Sequence, residues 1–117
     1  MNVAGRRQER LAGEIRDEVA QMLVRELKDP RLKFTTVTRV ELSSGLQHAR
    51  VLISVLGDAE AQHATLEGLV SASGYIRHEI SHRLRLRRAP EMVFVLDRGA
   101  EATEKIEVLL RKINETL

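Results

Sequence analysis

Between Phe34 and Val55 the apolar residues keep a period of two on either side of Ser43-Ser44-Gly45, while the segments before and after keep a period near 3.6. That change of period admits few folds. In FTTVTRVEL, residues 34–42, positions Thr36, Thr38, Val40 and Leu42 share one face, as a half-buried strand requires. Beyond the turn, Ala49, Val51, Ile53 and Val55 alternate with His48, Arg50, Leu52 and Ser54. So short a connection joins the two strands as an antiparallel hairpin.

Helical spacing flanks the hairpin. Leu11, Ile15, Val19, Met22, Leu23 and Leu27 predict an amphipathic helix over 6–27, which Lys28-Asp29-Pro30 ends. After the hairpin, Gly57 breaks the strand and Asp58 is placed to cap a helix. Leu66, Leu69 and Val70 carry that helix to Ser71. The poor helix formers Ser71, Ser73 and Gly74 then predict a junction, and Ile76, Ile80 and Leu84 predict a further helix ending at Ala89-Pro90. Met92 to Leu96 is a third strand, stopped by Asp97-Arg98-Gly99, and Ile106, Leu109, Leu110 and Ile113 mark a final helix.

The order is α-β-β-α-α-β-α: one α+β domain over 1–117, its three-stranded sheet packed by helices on one face, with a short C-terminal helix. A hydrophobic fraction of 43% is enough to build such a core. Without cysteine there is no disulfide framework and no thiolate metal site. No apolar run reaches membrane-spanning length, and MNVAGRRQER lacks the apolar centre of a signal peptide, so a cytoplasmic protein is expected.

A hairpin followed by two consecutive helices and a third strand is the type II KH topology. KH domains hold nucleic-acid backbone at the junction of those helices, usually with a GXXG loop. Here the junction falls on Ala72-Ser73-Gly74, without GXXG. The bland reading of this junction is a plain loop between two packed helices; the functional one is that Gly74 lets RNA backbone approach while the following helix offers free N–H groups to phosphate.

Charge points to the same place. The net charge is only +2, yet residues 71–88 carry Arg77, Arg83, Arg85, Arg87 and Arg88 against one acid, Glu79. His78, His82 and Arg85 form a polar stripe flanked by Arg77, Ser81 and Arg88, opposite Ile76, Ile80 and Leu84. The bland alternative is a solvated helix face, but Glu79 is the only acid within the segment to pair with these cations. Guanidinium groups suit phosphate oxygens, so nucleic acid is the expected ligand of this face. The candidate contacts are Ala72, Ser73, Gly74, Arg77, His78, His82, Arg83, Arg85, Arg87 and Arg88, with a smaller basic group at Arg6, Arg7 and Arg10. Aromatics are limited to Phe34, Tyr75 and Phe94. With the two phenylalanines expected in the core, recognition should rest on backbone shape and charge.

His78-Glu79-Ile80-Ser81-His82 has the HExxH form of a zinc hydrolase. Its surroundings oppose that chemistry. Arg77, Arg83 and Arg85 repel a divalent cation, and Glu101 or Glu104, the only third ligands in view, lie on another element. No nucleophile elbow, Walker loop or dinucleotide fingerprint is present. The expectation is a protein that is not an enzyme and has no cofactor or metal.

RLAGEIRDEVAQMLVRELKDPRL (10–32), VTRVELSSGLQHARVLISVLGD (37–58), SGYIRHEISHRLRLRRAPEMVFVLD (73–97) and the closing helix with Ile106 and Leu109 resemble the bacterial ribosome-binding factor A family. The resemblance covers nearly the whole chain in order. It implies a type II KH fold in which an Ala-X-Gly kink, matched by Ala72-Ser73-Gly74, replaces GXXG. It also implies binding to the immature small ribosomal subunit and its ribosomal RNA, in aid of late rRNA processing. A monomer is expected when free. A general KH-type RNA-binding protein with another target, and more distantly an HExxH zinc hydrolase, are the alternatives.

Overall fold

The computed structural model describes residues 3–116, with the side chains of all but residues 3, 4, 100–105 and 116. The order is α1 (Val3–Arg25), a 3₁₀ turn (Pro30–Leu32), β1 (Thr35–Leu42), β2 (His48–Val55), α2 (Ala59–Arg83), β3 (Glu91–Leu96) and α3 (Arg98–Thr116). The α+β class and the order of the strands are as expected.

The sheet runs β1-β2-β3. β1 and β2 are antiparallel, and β3 returns parallel to β2. A parallel return needs a crossover, and α2 supplies it. Ala49, Val51, Ile53 and Val55 face inward, as their alternation predicts. β1 differs. Val37 and Val40 are the buried residues, while Thr36 is exposed and Thr38 is half-buried. The register slips between Val37 and Arg39, so Thr38 is the extra residue of a bulge and the inward face changes parity there. The Thr38 hydroxyl donates to Asp97 Oδ2 at 2.7 Å and lies 3.2 Å from Leu52 O.

α1 and α2 cover one face of the sheet. Ile15, Val19 and Met22 from α1 join Leu69, Ile76 and Ile80 from α2 over the strands, all fully buried. Asp58 caps α2 by accepting from Ala61 N at 2.9 Å. The 3₁₀ turn, absent from the sequence-based expectation, starts at Pro30 and is capped by Asp29, which accepts from Arg31 N. It puts Leu32 into the core, and Leu32 sits so close to α2 that a Cβ on Gly68 would lie 3.0 Å from Leu32 Cδ2.

One expectation needs correction here. Residues 72–74 do not separate two helices, because α2 is helical from Ala59 through Arg83. Ser71 Oγ donates to Glu67 O and Ser73 Oγ to Val70 O, so both hydroxyls are satisfied along the helix wall. α2 also ends five residues earlier than expected, and Arg85, Arg87 and Arg88 lie on the loop that follows it. Phe34 is likewise exposed, with Lys33 Nζ over its ring, whereas Phe94 packs on the core.

α3 meets the sheet at β2 and then projects from it, with Ile106, Leu109, Leu110 and Ile113 all exposed. The projection raises the radius of gyration to 16.2 Å, above the roughly 13 Å of a compact domain near this length.

Candidate nucleic-acid interface

The loop after α2 is built by the end of that helix. Leu84 is the C-cap, Arg85 N donates to His82 O and Leu86 N donates to Ser81 O. This pair of bonds is a Schellman motif, which needs a left-handed residue at the position Arg85 occupies. Arg85 takes it, at φ 54°, although glycine suits that conformation best. Ser81 Oγ then donates to Leu86 O at 2.8 Å and closes the turn. The chain leaves with Arg87 and Arg88 exposed. Among the described residues, Arg85, Arg87 and Arg88 make no side-chain hydrogen bond or ion pair.

Arg77 stands one helical turn beyond Gly74 and is not free in the same way. Its Nε and Nη2 both donate to Ala89 O, at 3.2 and 3.1 Å, so it tethers the loop to α2. Nη1 remains available. Arg77, Arg87 and Arg88 come together in a cleft with Gly45 to His48 of the β1–β2 connection. That connection is the part of the site the sequence reading missed. No signal marks it, since about 40 residues separate it from the loop it faces.

Arg83 belongs to a different arrangement. Its guanidinium donates to Glu18 at 3.2 Å, to Glu79 at 2.9 Å and to Glu26. Glu18 lies on α1 and Glu26 in the turn just after it, which is why counting acids within residues 71–88 missed them. The hydrogen bond to Glu26 is the largest of the effects that hold the Arg83 proton well above its ordinary range, followed by that to Glu79. In return Arg83, and next Tyr75, whose hydroxyl donates to Glu26, keep the Glu26 carboxyl below its usual value. A guanidinium enclosed by three carboxylates offers no net positive charge to phosphate, so Arg83 leaves the basic face.

The remaining candidates divide by place. His78 and His82 are exposed on α2. Ala72 and Ser73 are half-buried, and Gly74 is exposed with open space where a Cβ would stand. Because α2 runs unbroken through them, the N–H groups that follow Gly74 are engaged in the helix and are not presented to a ligand. Arg6, Arg7 and Arg10 are exposed on α1, where Arg10 pairs with Glu14 at 3.5 Å and Arg6 also has a partner. Gln8 Nε2 donates to Ser43 O, which brings the first turns of α1 to the β1–β2 connection. In the HExxH segment Glu79 is held by Arg83 through two N–H groups. Glu101 and Glu104 have side chains outside the described residues.

The family described as Ribosome-binding factor A matches residues 7–110. A Thermomicrobium roseum protein named Ribosome-binding factor A is 50% identical over 109 residues, covering 93% of this chain and 84% of that protein. Its Natranaerobius thermophilus namesake is 44% identical over 112 residues, with 96% and 86% covered. The crystal structure of ribosome-binding factor A from Thermus thermophilus superposes with a TM-score of 0.70 at 26% identity, over 78% of this chain and 96% of that one. A Thermus thermophilus homology model fitted into the cryo-EM map of a 30S–RbfA complex gives a TM-score of 0.64 at the same identity and coverage. With a family match over most of its length and relatives this similar, the chain belongs to the ribosome-binding factor A family.

Proposed function

We propose that the chain acts as one RNA-binding unit on the immature small ribosomal subunit in the cytoplasm, where it holds one conformation of the ribosomal RNA during late processing and catalyses nothing. It works as a monomer when free. The carrying observation is the loop after α2, where Arg85, Arg87 and Arg88 stand exposed and, among the described residues, unpaired, while Arg83 beside them is enclosed by carboxylates. Cations left without acidic partners on one surface suit a polyphosphate backbone. The reading draws further support from the relative fitted into a 30S complex. Engagement of Glu79 by Arg83 argues against its use as a general base.

The test is co-sedimentation with immature small subunits across a salt series, against bulk RNA as competitor. Wild type is expected to bind the subunit in preference to bulk RNA. Arg85→Ala, Arg87→Ala and Arg88→Ala are each expected to bind more weakly and to flatten the slope of log K against log salt by roughly 0.7 to 0.9 per lost phosphate contact. Equal retention by bulk RNA would mean a general RNA-binding protein, and unchanged binding by all three variants would move the site elsewhere.

A further inference from the structure

The open cleft between the β1–β2 connection and the loop after α2 has a volume of about 520 Å³, and none of Ala72, Ser73 or Gly74 lines it. Three kinds of group meet in it. Arg77, Arg87 and Arg88 supply positive charge. Leu46 and Leu86 supply apolar surface, and Gln47, His48 and Glu91 supply hydrogen-bonding groups, with His48 Nε2 3.8 Å from a Glu91 carboxylate oxygen. A bare phosphate would use only the first kind. A metal cation would be opposed by three guanidinium groups. The volume falls in the range of about 300–1,000 Å³ that accepts a small organic molecule, far more room than one phosphate fills.

Backbone strain singles out the same place. Leu46, in the cleft wall, has φ 58°, and Arg85, next to the wall residue Leu86, has φ 54°. Bulky residues rarely adopt this conformation, and here the helix-end and turn hydrogen bonds hold both residues in it, which fixes the shape of the cleft wall. Leu46 N donates to Ser43 O and Glu91 N donates to Gln47 O, which fixes the connection against the start of β3.

We propose that this cleft holds one unpaired nucleotide of RNA. Arg87 and Arg88 take its phosphate, Leu46 and Leu86 support the face of its base, and Gln47 and Glu91 read the base edge. The inference rests on the reading above that RNA is the ligand of the basic surface, and it adds base recognition to a surface otherwise suited to backbone. An unpaired nucleotide is required because a base inside a helix cannot enter a cleft. The Glu91 carboxylate repels the phosphate, which leaves Arg87 and Arg88 for that group, and it accepts from an exocyclic amino group. Cytosine is therefore preferred over uracil, which has a carbonyl at the equivalent position.

The experiment is an amide-resolved NMR titration of the full chain with inorganic phosphate, cytidine 5′-monophosphate and uridine 5′-monophosphate. The cytidine nucleotide is expected to shift the amides of Leu46, Gln47, Leu86 and Arg88 and to bind roughly tenfold more tightly than inorganic phosphate, the gain of about one well-formed hydrogen bond plus base contact. Arg87→Ala and Arg88→Ala weaken it several-fold. Glu91→Gln, whose backbone bond to Gln47 is untouched, narrows the gap between the two nucleotides while the thermal melt stays in place. Inorganic phosphate binding as tightly as either nucleotide, or shifts confined to residues outside the cleft, would overturn the inference. Subunit co-sedimentation separates the two readings. A silent cleft in a protein that still binds the small subunit sinks this inference alone, and nucleotide binding in a protein with no subunit affinity sinks the proposed function alone.

Discussion

Arg77 donates both Nε and Nη2 to the backbone carbonyl of Ala89, so a cation in the basic cleft is also the tether of the loop that carries the other cations. Binding and loop geometry are coupled through this one side chain. Arg77→Ala is expected to cost about 1 kcal/mol, the usual worth of a hydrogen bond, and to speed amide exchange at residues 86–89. A variant that melts with wild type and shows unchanged exchange would remove the tether from this account.

The core phase of α2 is tested at Ile80, which is fully buried in the hydrophobic core. Ile80→Asp leaves an unpaired charge in that core and is expected to lose at least about 4 kcal/mol. Urea unfolding checks it. A cooperative transition at the wild-type midpoint would contradict the packing.

Two glycines of α2 are expected to behave in opposite ways. Gly74 is exposed with open space beside it, so Gly74→Ala should gain about 1 kcal/mol from helix propensity. A Cβ at Gly68 would press on Leu32 and Arg31, so Gly68→Val is expected to destabilise. Thermal melts give both signs. Subunit binding by Gly74→Ala then decides the role of Ala72-Ser73-Gly74. Weaker binding from a more stable protein means that RNA approaches there, and unchanged binding means that it does not.

Arg85→Gly places the residue best suited to a left-handed conformation where an arginine now holds φ 54°. Stability is expected to rise by up to about 1 kcal/mol while RNA binding weakens. Denaturant melts and the salt-series assay measure the two effects. A variant that binds RNA as well as wild type would show that the arginine side chain is not the reason for the strain.

Acid is expected to loosen the contact between α1 and α2. The Glu26 carboxyl is depressed by Arg83 first and Tyr75 second, and Asp29 is depressed by Arg31. A carboxyl lowered in the folded state adds stability that is fully present above its unfolded value, about 4.3 for Glu, and is lost as pH falls through the lowered folded value. Glu26→Gln is expected to flatten the acid limb of the melting curve without abolishing it, since the Asp29 contribution remains. An unchanged acid limb would show that the cluster is not linked to folding.

Local pattern settled much of this molecule. The alternation of Ala49, Val51, Ile53 and Val55, the spacing of Ile15, Val19 and Met22, the Asp58 cap and the buried Ile76 and Ile80 follow from period and capping chemistry, which act over a few residues. Tertiary structure decided what depends on distant partners. The parity of β1 changes at Thr38, whose hydroxyl is met by Asp97 across 59 positions of sequence. The junction expected at 71–74 is absent, because helix-wall carbonyls accept the two serine hydroxyls and the packing of Leu69, Ile76 and Ile80 outweighs weak local propensity. Five arginines in one run read alike in sequence. Glu18 on α1 and Glu26 in the turn that ends it take Arg83 out of the set, a backbone carbonyl engages Arg77, and Arg85, Arg87 and Arg88 are left exposed. Residue type is local, but whether a charge is neutralised depends on what the fold brings within a few ångströms of it.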